Sequence, residues 1–425
     1  MDEGSKDTRT PDTRTPDAEL ALLPVPGVRI GTAAAGVKHP ERRERDDLCL
    51  FALAEGSVAH AVFTRNAFCA APVTLARQHL AAGPPRYLLI NAGNANAGTG
   101  EAGLAAARAT CAACGRLGGS APEAVLPFST GVIGVQLPAE RIAAALPTAF
   151  AALAPDGWGR AARAIMTTDT RPKGWSRQYA HAGQTYTLSG IAKGAGMIRP
   201  DMATMLAFLA TDAPFSPEAV ALALTAAVER SFNRITVDGD TSTNDACCLV
   251  ATGATQGAGA TASGRYGPDH PGFPAFAATV AECCLALAQE IVRDGEGATK
   301  FVTVTVRGGA QEAECLAAAY AIAHSPLVKT AFFASDPNWG RILAAVGRAG
   351  IPGLQIVGVS LWLDGVNVLT RGEPAPDYRE AAGKAVLSRP EFTVTVDLGR
   401  GAAAATVWTG DLSHDYVTIN AEYRT

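Results

Sequence analysis

Apolar and polar positions change their period several times along this chain. Residues 86–90 form a short apolar run that feeds a loop rich in glycine and asparagine, and residues 104–116 follow with a helical, Ala-rich composition. Ser216, Pro217 and Glu218 make a helix start: an oxygen-bearing N-cap, a proline at the first helical position and an early acid. The apolar run they open continues to Val228. Phe276, Val280, Cys284, Leu287 and Ile291 recur at helical spacing and predict one buried stripe, stopped by Gly295. Toward the C-terminus the period falls to two. Residues 301–306 alternate, residues 361–369 carry Asp364 and Gly365 at their middle, and residues 392–408 are interrupted at 399–401, so two hairpins are predicted. The fold class is therefore α/β of α+β character, with mixed sheets covered by helices. A Rossmann fold is not expected, because neither GxGxxG nor GxxxxGK[ST] follows a predicted strand.

Residues 8–12 and 13–17 are a tandem repeat of Thr, Arg, Pro and Asp without hydrophobic period, and residues 1–22 are expected to be a disordered tail. The rest of the 425 residues is ample for a large core, with 48% hydrophobic and 18% charged positions. A net charge of -4 gives no footprint for nucleic acid, and a small-molecule substrate becomes the default. No segment reaches the roughly 18 uninterrupted apolar residues of a membrane span. Nine scattered cysteines, two pairs of them adjacent, suit no disulfide framework and point to a reducing cytoplasm. Cys111 and Cys114 have metal or redox spacing, but they sit in the Ala-rich helical stretch without a second ligand pair and read as buried thiols. No metal is expected.

The densest chemistry lies at KGAGMIRPDMATML, residues 193–206, where glycines and a proline impose a constrained loop before an apolar run. A threonine hydroxyl is a weak nucleophile without a base, and no Ser/His/Asp set is apparent. Breaking the peptide bond between Ala203 and Thr204 would give Thr204 a free α-amine with an unperturbed pKa of about 7.7 to 8.0, so the residue would carry its own base. Its Oγ would first attack the Ala203 carbonyl, shift the acyl group from N to O, and leave an ester for water to hydrolyse; a strained loop favours that approach. On the residues alone, a threonine that merely begins a buried segment remains the competing reading.

The segment KGAGMIRPDMATMLAFLATDA resembles the self-cleaving region of the ornithine acetyltransferase family, the bifunctional glutamate N-acetyltransferases of arginine biosynthesis, where the cut falls between Ala and Thr of MATML. NAGNANAGTG at 91–100, STGVIG at 129–134, SFNRITVDGDTSTNDA at 231–246, DGEGATKF at 294–301, SPLVKTAFFASDPNWGRI at 325–342 and INAEYRT at the end resemble family blocks in the same order. The resemblance runs from about residue 24 to the last residue. This chain departs from the family's frequent Ser, Cys and Asn with Ala92, Gly98 and Asp201, and none of these removes a group from the chemistry.

The resemblance implies a fold of the N-terminal-nucleophile type and a ping-pong transfer of acetyl from N-acetylornithine to glutamate through an acetyl ester on Thr204. Thr130 and Gly131 would form the oxyanion hole, and Thr167 or Thr168, Lys193, Glu296, Asn420 and the terminal Thr425 would bind substrate. Glu296 follows a helix C-terminus, where a carboxylate gains nothing from the helix dipole, which favours a role in pairing with a substrate ammonium. Residues 23–203 would become one chain and 204–425 the other, with two such pairs making a heterotetramer. No cofactor is implied, although acetyl-CoA serves some members as acetyl donor. A self-processing N-terminal-threonine amidase or aminopeptidase, with water as acceptor, is the alternative enzyme.

Overall fold

The computed structural model describes residues 20–41, 44–181, 183–199, 205–256 and 264–422. Two sheets face each other at its centre. The first has four strands in the order Val28–Ala33, Leu48–Leu53, Tyr87–Asn94 and Val125–Val132, the last two parallel and the others antiparallel. The second has five, in the order Val58–Phe63, Ala246–Ala251, Leu206–Thr211, Gln184–Lys193 and Lys173–His181. Its Ala246–Ala251 and Leu206–Thr211 pair is parallel and its other pairs are antiparallel.

The inner strands Leu48–Leu53, Leu206–Thr211 and Ala246–Ala251 are buried on both faces, as expected of sheets covered on both sides. Phe51 and Phe128 of the first sheet meet Phe208 of the second with ring centroids 5.8 and 4.9 Å apart, which locks the inner faces together. Helices Gly100–Gly118 and Ala139–Ala151 cover the outer face of the first sheet, and Pro217–Glu229 and Phe273–Arg293 cover that of the second. The result is four layers, helix on sheet on sheet on helix, with mixed strand directions, in agreement with the expected class and unlike a Rossmann sheet. Cys111 and Cys114 are buried against the first sheet as structural thiols.

The predicted stripe of Phe276, Val280, Cys284, Leu287 and Ile291 is wholly buried in Phe273–Arg293. Ser216 caps its helix as read, its Oγ accepting from the Ala219 N–H at 3.2 Å. Leu20 and Leu22, at the end of the expected tail, pack on the core shared by the two sheets. Residues 1–19 lie outside the described residues.

A third sheet of seven strands carries its own core, with Phe301–Gly309 near its centre. Ser360–Leu363 and Val366–Thr370 form the hairpin expected around Asp364 and Gly365. The second expected hairpin is absent. Glu391–Asp397 and Ala403–Gly410 flank Phe301–Gly309, which pairs parallel with the former and antiparallel with the latter. Their connection crosses the end of that central strand, where Gly308 O accepts from Arg400 and Gly401 N–H at 2.7 and 2.9 Å. A turn-rich break in an alternating run gives no sign of a third strand entering between its halves.

Candidate active site

One end of the two-sheet sandwich opens into a cavity of about 450 Å³. Thr130 and Gly131 reach it from the end of Val125–Val132, Lys193 from the end of Gln184–Lys193, and Met205 from just ahead of the neighbouring strand Leu206–Thr211. Thr167 and Thr168 come from the loop ahead of Lys173–His181, Glu296 from the turn after Phe273–Arg293, and Asn420 from the helix His414–Glu422. Every described residue that the sequence assigned to substrate or oxyanion binding therefore lines one cavity. Thr204, Ala203 and Thr425 lie outside the described residues.

Thr130 and Gly131 lie near the end of the strand Val125–Val132. Gly131 has φ +130°, and a Cβ there would sit 2.3 Å from Gly93 C and 2.5 Å from Asn94 N. Both the left-handed conformation and the close strand approach require glycine. The Asn244 amide clamps the same strand, donating to Ser129 O at 3.0 Å and to Ala95 O at 2.6 Å.

Across the gap between the sheets, the Lys193 ammonium donates to Thr130 Oγ1 at 3.1 Å. Burial lowers the Lys193 pKa and the neighbouring Lys173 adds to this, while Asp169, Asp245 and Glu296 raise it. Behind it, buried Lys173 binds Asp169 at 2.7 Å and Asp294 at 2.5 Å. Asp169 also accepts from the Gly194 N–H at 2.6 Å and the Thr167 N–H at 3.0 Å. Burial by itself would push the Asp169 carboxyl up, but Lys173, Lys193 and the Gly194 N–H outweigh it and hold the group well below the usual carboxylate range.

Glu296 is buried, and Asn420 donates to its Oε2 at 2.8 Å. A Cβ on Gly196 would lie within 2.5 Å of both Glu296 oxygens, so the glycine is what lets this carboxylate approach the loop. Asp245 adds a second buried carboxyl to the lining, pushed well above its ordinary pKa by burial, with Ser242 and Lys193 pulling it back.

Asp169, Asp238, Asp245 and Tyr416 were not singled out from sequence. Each is a common residue in a polar segment, and its place at the cavity is set by long-range partners: Asp169 meets Asp294 through Lys173, and Tyr416 donates to Asp238 at 3.4 Å. Spacing along the chain carries no record of such contacts.

The match to the ArgJ family spans residues 29–425. The chain belongs to the ArgJ family. The arginine biosynthesis bifunctional protein ArgJ of Methylococcus capsulatus is 57% identical over 408 residues, covering 96% of this chain and 98% of that protein. The protein of the same name from Pseudomonas syringae pv. tomato is 55% identical over 406 residues, covering 95% and 98%. Among solved structures, the arginine biosynthesis bifunctional protein ArgJ of Bacillus halodurans is 36% identical with a TM-score of 0.46, covering 50% of this chain and 96% of that chain. Membership of the ArgJ family agrees with the resemblance carried by the motifs around residue 204.

Proposed function

We propose that this chain transfers an acetyl group from N-acetylornithine to glutamate in arginine biosynthesis, through an ester on Thr204 exposed by cutting its own backbone after Ala203. The observation that carries the reading is the convergence of Thr130, Gly131, Lys193, Glu296 and Asn420 on one cavity that Met205, the residue after Thr204, also lines. Near-full-length likeness to proteins named for arginine biosynthesis supports it.

In the first half-reaction the neutral Thr204 amine takes the hydroxyl proton as Oγ bonds to the acetyl carbonyl carbon. The Gly131 N–H and the Thr130 hydroxyl, polarised by the Lys193 ammonium, stabilise the oxyanion. Collapse breaks the amide C–N bond, and the proton held by the amine passes to the departing ornithine nitrogen. Glutamate then attacks the acetyl ester with its neutral amine and restores the Thr204 hydroxyl. Glu296, held by Asn420, pairs with the ammonium of the ornithine side chain. Either Thr167 or Thr168 contacts the substrate, and Thr425 is a further substrate contact in this reading. No step calls on a cofactor, because the substrate itself brings the acetyl group; an acetyl thioester such as acetyl-CoA would load the same hydroxyl.

Cutting leaves the protein whole for a topological reason. Gln184–Lys193 from the first piece pairs with Leu206–Thr211 from the second, and Val58–Phe63 pairs with Ala246–Ala251 in the same sheet. Both pieces also share buried cores. Two such cut chains would assemble as a heterotetramer.

The test is ornithine release from N-acetylornithine with and without glutamate. Transfer predicts release that depends on glutamate, with N-acetylglutamate formed in equal amount. Release at the same rate without glutamate would identify a hydrolase instead.

A further inference from the structure

The loop ahead of the proposed cut is held by one carboxylate. Asp238 accepts from the backbone N–H of Met197 at 2.6 Å and of Ile198 at 2.9 Å. The adjacent Val237 N–H donates to Ile198 O at 2.8 Å, and the Thr241 hydroxyl donates to Arg199 O at 3.2 Å. Residues 197–199 are thus fixed, one after another, by residues 237–241. Met197 has φ +56°, a left-handed conformation that a long L side chain disfavours. Two charge-assisted bonds from consecutive N–H groups keep the turn in that state. On its other side Asp238 accepts from the Tyr416 hydroxyl, which ties the turn to the helix that carries Asn420.

We infer that Asp238 is a positioning residue for the self-cutting step: by holding residues 197–199 in a left-handed turn against residues 237–241, it sets the direction in which the chain enters the scissile segment. This rests on the cut after Ala203 proposed above. Attack of a hydroxyl on the preceding carbonyl needs a near-attack arrangement, and a small displacement of the entering chain lowers the rate steeply. Asp238 acts on the backbone ahead of the bond and not on the reacting atoms.

The carboxyl is faced by Asp240 of its own loop, by Tyr416 from the C-terminal helix and by Lys329 from the helix Pro326–Phe333. Burial raises its pKa and Asp240's charge adds to this, while the three backbone N–H bonds oppose them. Protonation weakens the carboxyl as a double acceptor, so cutting is expected to slow as pH falls, and at a higher pH than an ordinary aspartate would give.

The experiment follows the appearance of the two fragments on denaturing gels after cell-free synthesis of the full chain, as wild type, Asp238→Asn and Thr241→Val, across pH. Asp238→Asn is expected to slow cutting about tenfold or more and to abolish the acid-side fall, and Thr241→Val to slow it less. Cutting of Asp238→Asn at the wild-type rate, with the wild-type pH profile, overturns the inference alone. If that variant does not fold, Thr241→Val cutting at the wild-type rate, together with a wild type that shows no acid-side fall, overturns it equally. A wild-type chain that is never cut overturns both this inference and the function on which it rests.

Discussion

Lys193 and Thr130 belong to different sheets, and their side chains meet at 3.1 Å across the mouth of the sandwich. This contact places a positive charge on the hydroxyl proposed to stabilise the oxyanion. It also makes the catalytic geometry depend on how the two sheets pack, since each residue stands at the end of its own strand.

Replacing Lys193 with methionine is expected to reduce acetyl transfer by about 10²- to 10³-fold, the usual effect of losing one oxyanion-stabilising group. An ammonium is charged below its pKa, and burial lowers that of Lys193, so charge-dependent activity is lost as pH rises, earlier than the usual lysine value of about 10.4 implies. A pH–rate profile of Lys193→Arg, which keeps its charge, should lack this alkaline fall; the same fall in both proteins would contradict the assignment.

Gly131→Ala is expected to abolish both self-cutting and transfer, because the new Cβ meets the backbone of the paired strand at Gly93 and Asn94. Intact mass and a transfer assay on one preparation measure both losses. A cut and active Gly131→Ala protein would remove Gly131 from the oxyanion site.

The sequence was most informative where one strong periodicity or a dense motif governed the outcome. The stripe from Phe276 to Ile291 reports a helix packed on one side, and Ser216 with Pro217 reports where another begins, so both are legible locally. The site residues Thr130, Lys193, Glu296 and Asn420 were reached through family likeness, and the cavity then brought them together. Illegible were the partners set by topology. Asp294 reaches Lys173, Asn244 reaches Ser129, and Phe301–Gly309 separates two strands that are consecutive in the chain.

Lys173 is nearly inaccessible and its ammonium bridges two buried carboxylates. Lys173→Met is therefore expected to destabilise the protein by about 3–5 kcal/mol, since it strands uncompensated charge. Asp169 has a depressed folded pKa, so its stabilisation is full above the unfolded value of about 3.9 and is lost as pH falls from there toward the folded value. Thermal melting against pH should show this acid-side loss in wild type and a smaller one in Lys173→Met; equal stability at neutral pH would contradict the account.

Glu296→Gln keeps the shape that Asn420 and Gly196 accommodate but removes the negative charge. The KM for N-acetylornithine is expected to rise at least about tenfold, equivalent to roughly 1.4 kcal/mol. Gly196→Ala should produce a similar rise by displacing the carboxylate. Unchanged KM values in both variants would place the ornithine ammonium elsewhere.

N-terminal sequencing of purified, active protein reads the cut between Ala203 and Thr204 in a single step. Two sequences in equal amount are expected, that of the original N-terminus and one beginning Thr-Met-Leu-Ala from Thr204. Full activity from material that gives only the original N-terminus and a single 43.6 kDa chain would contradict it.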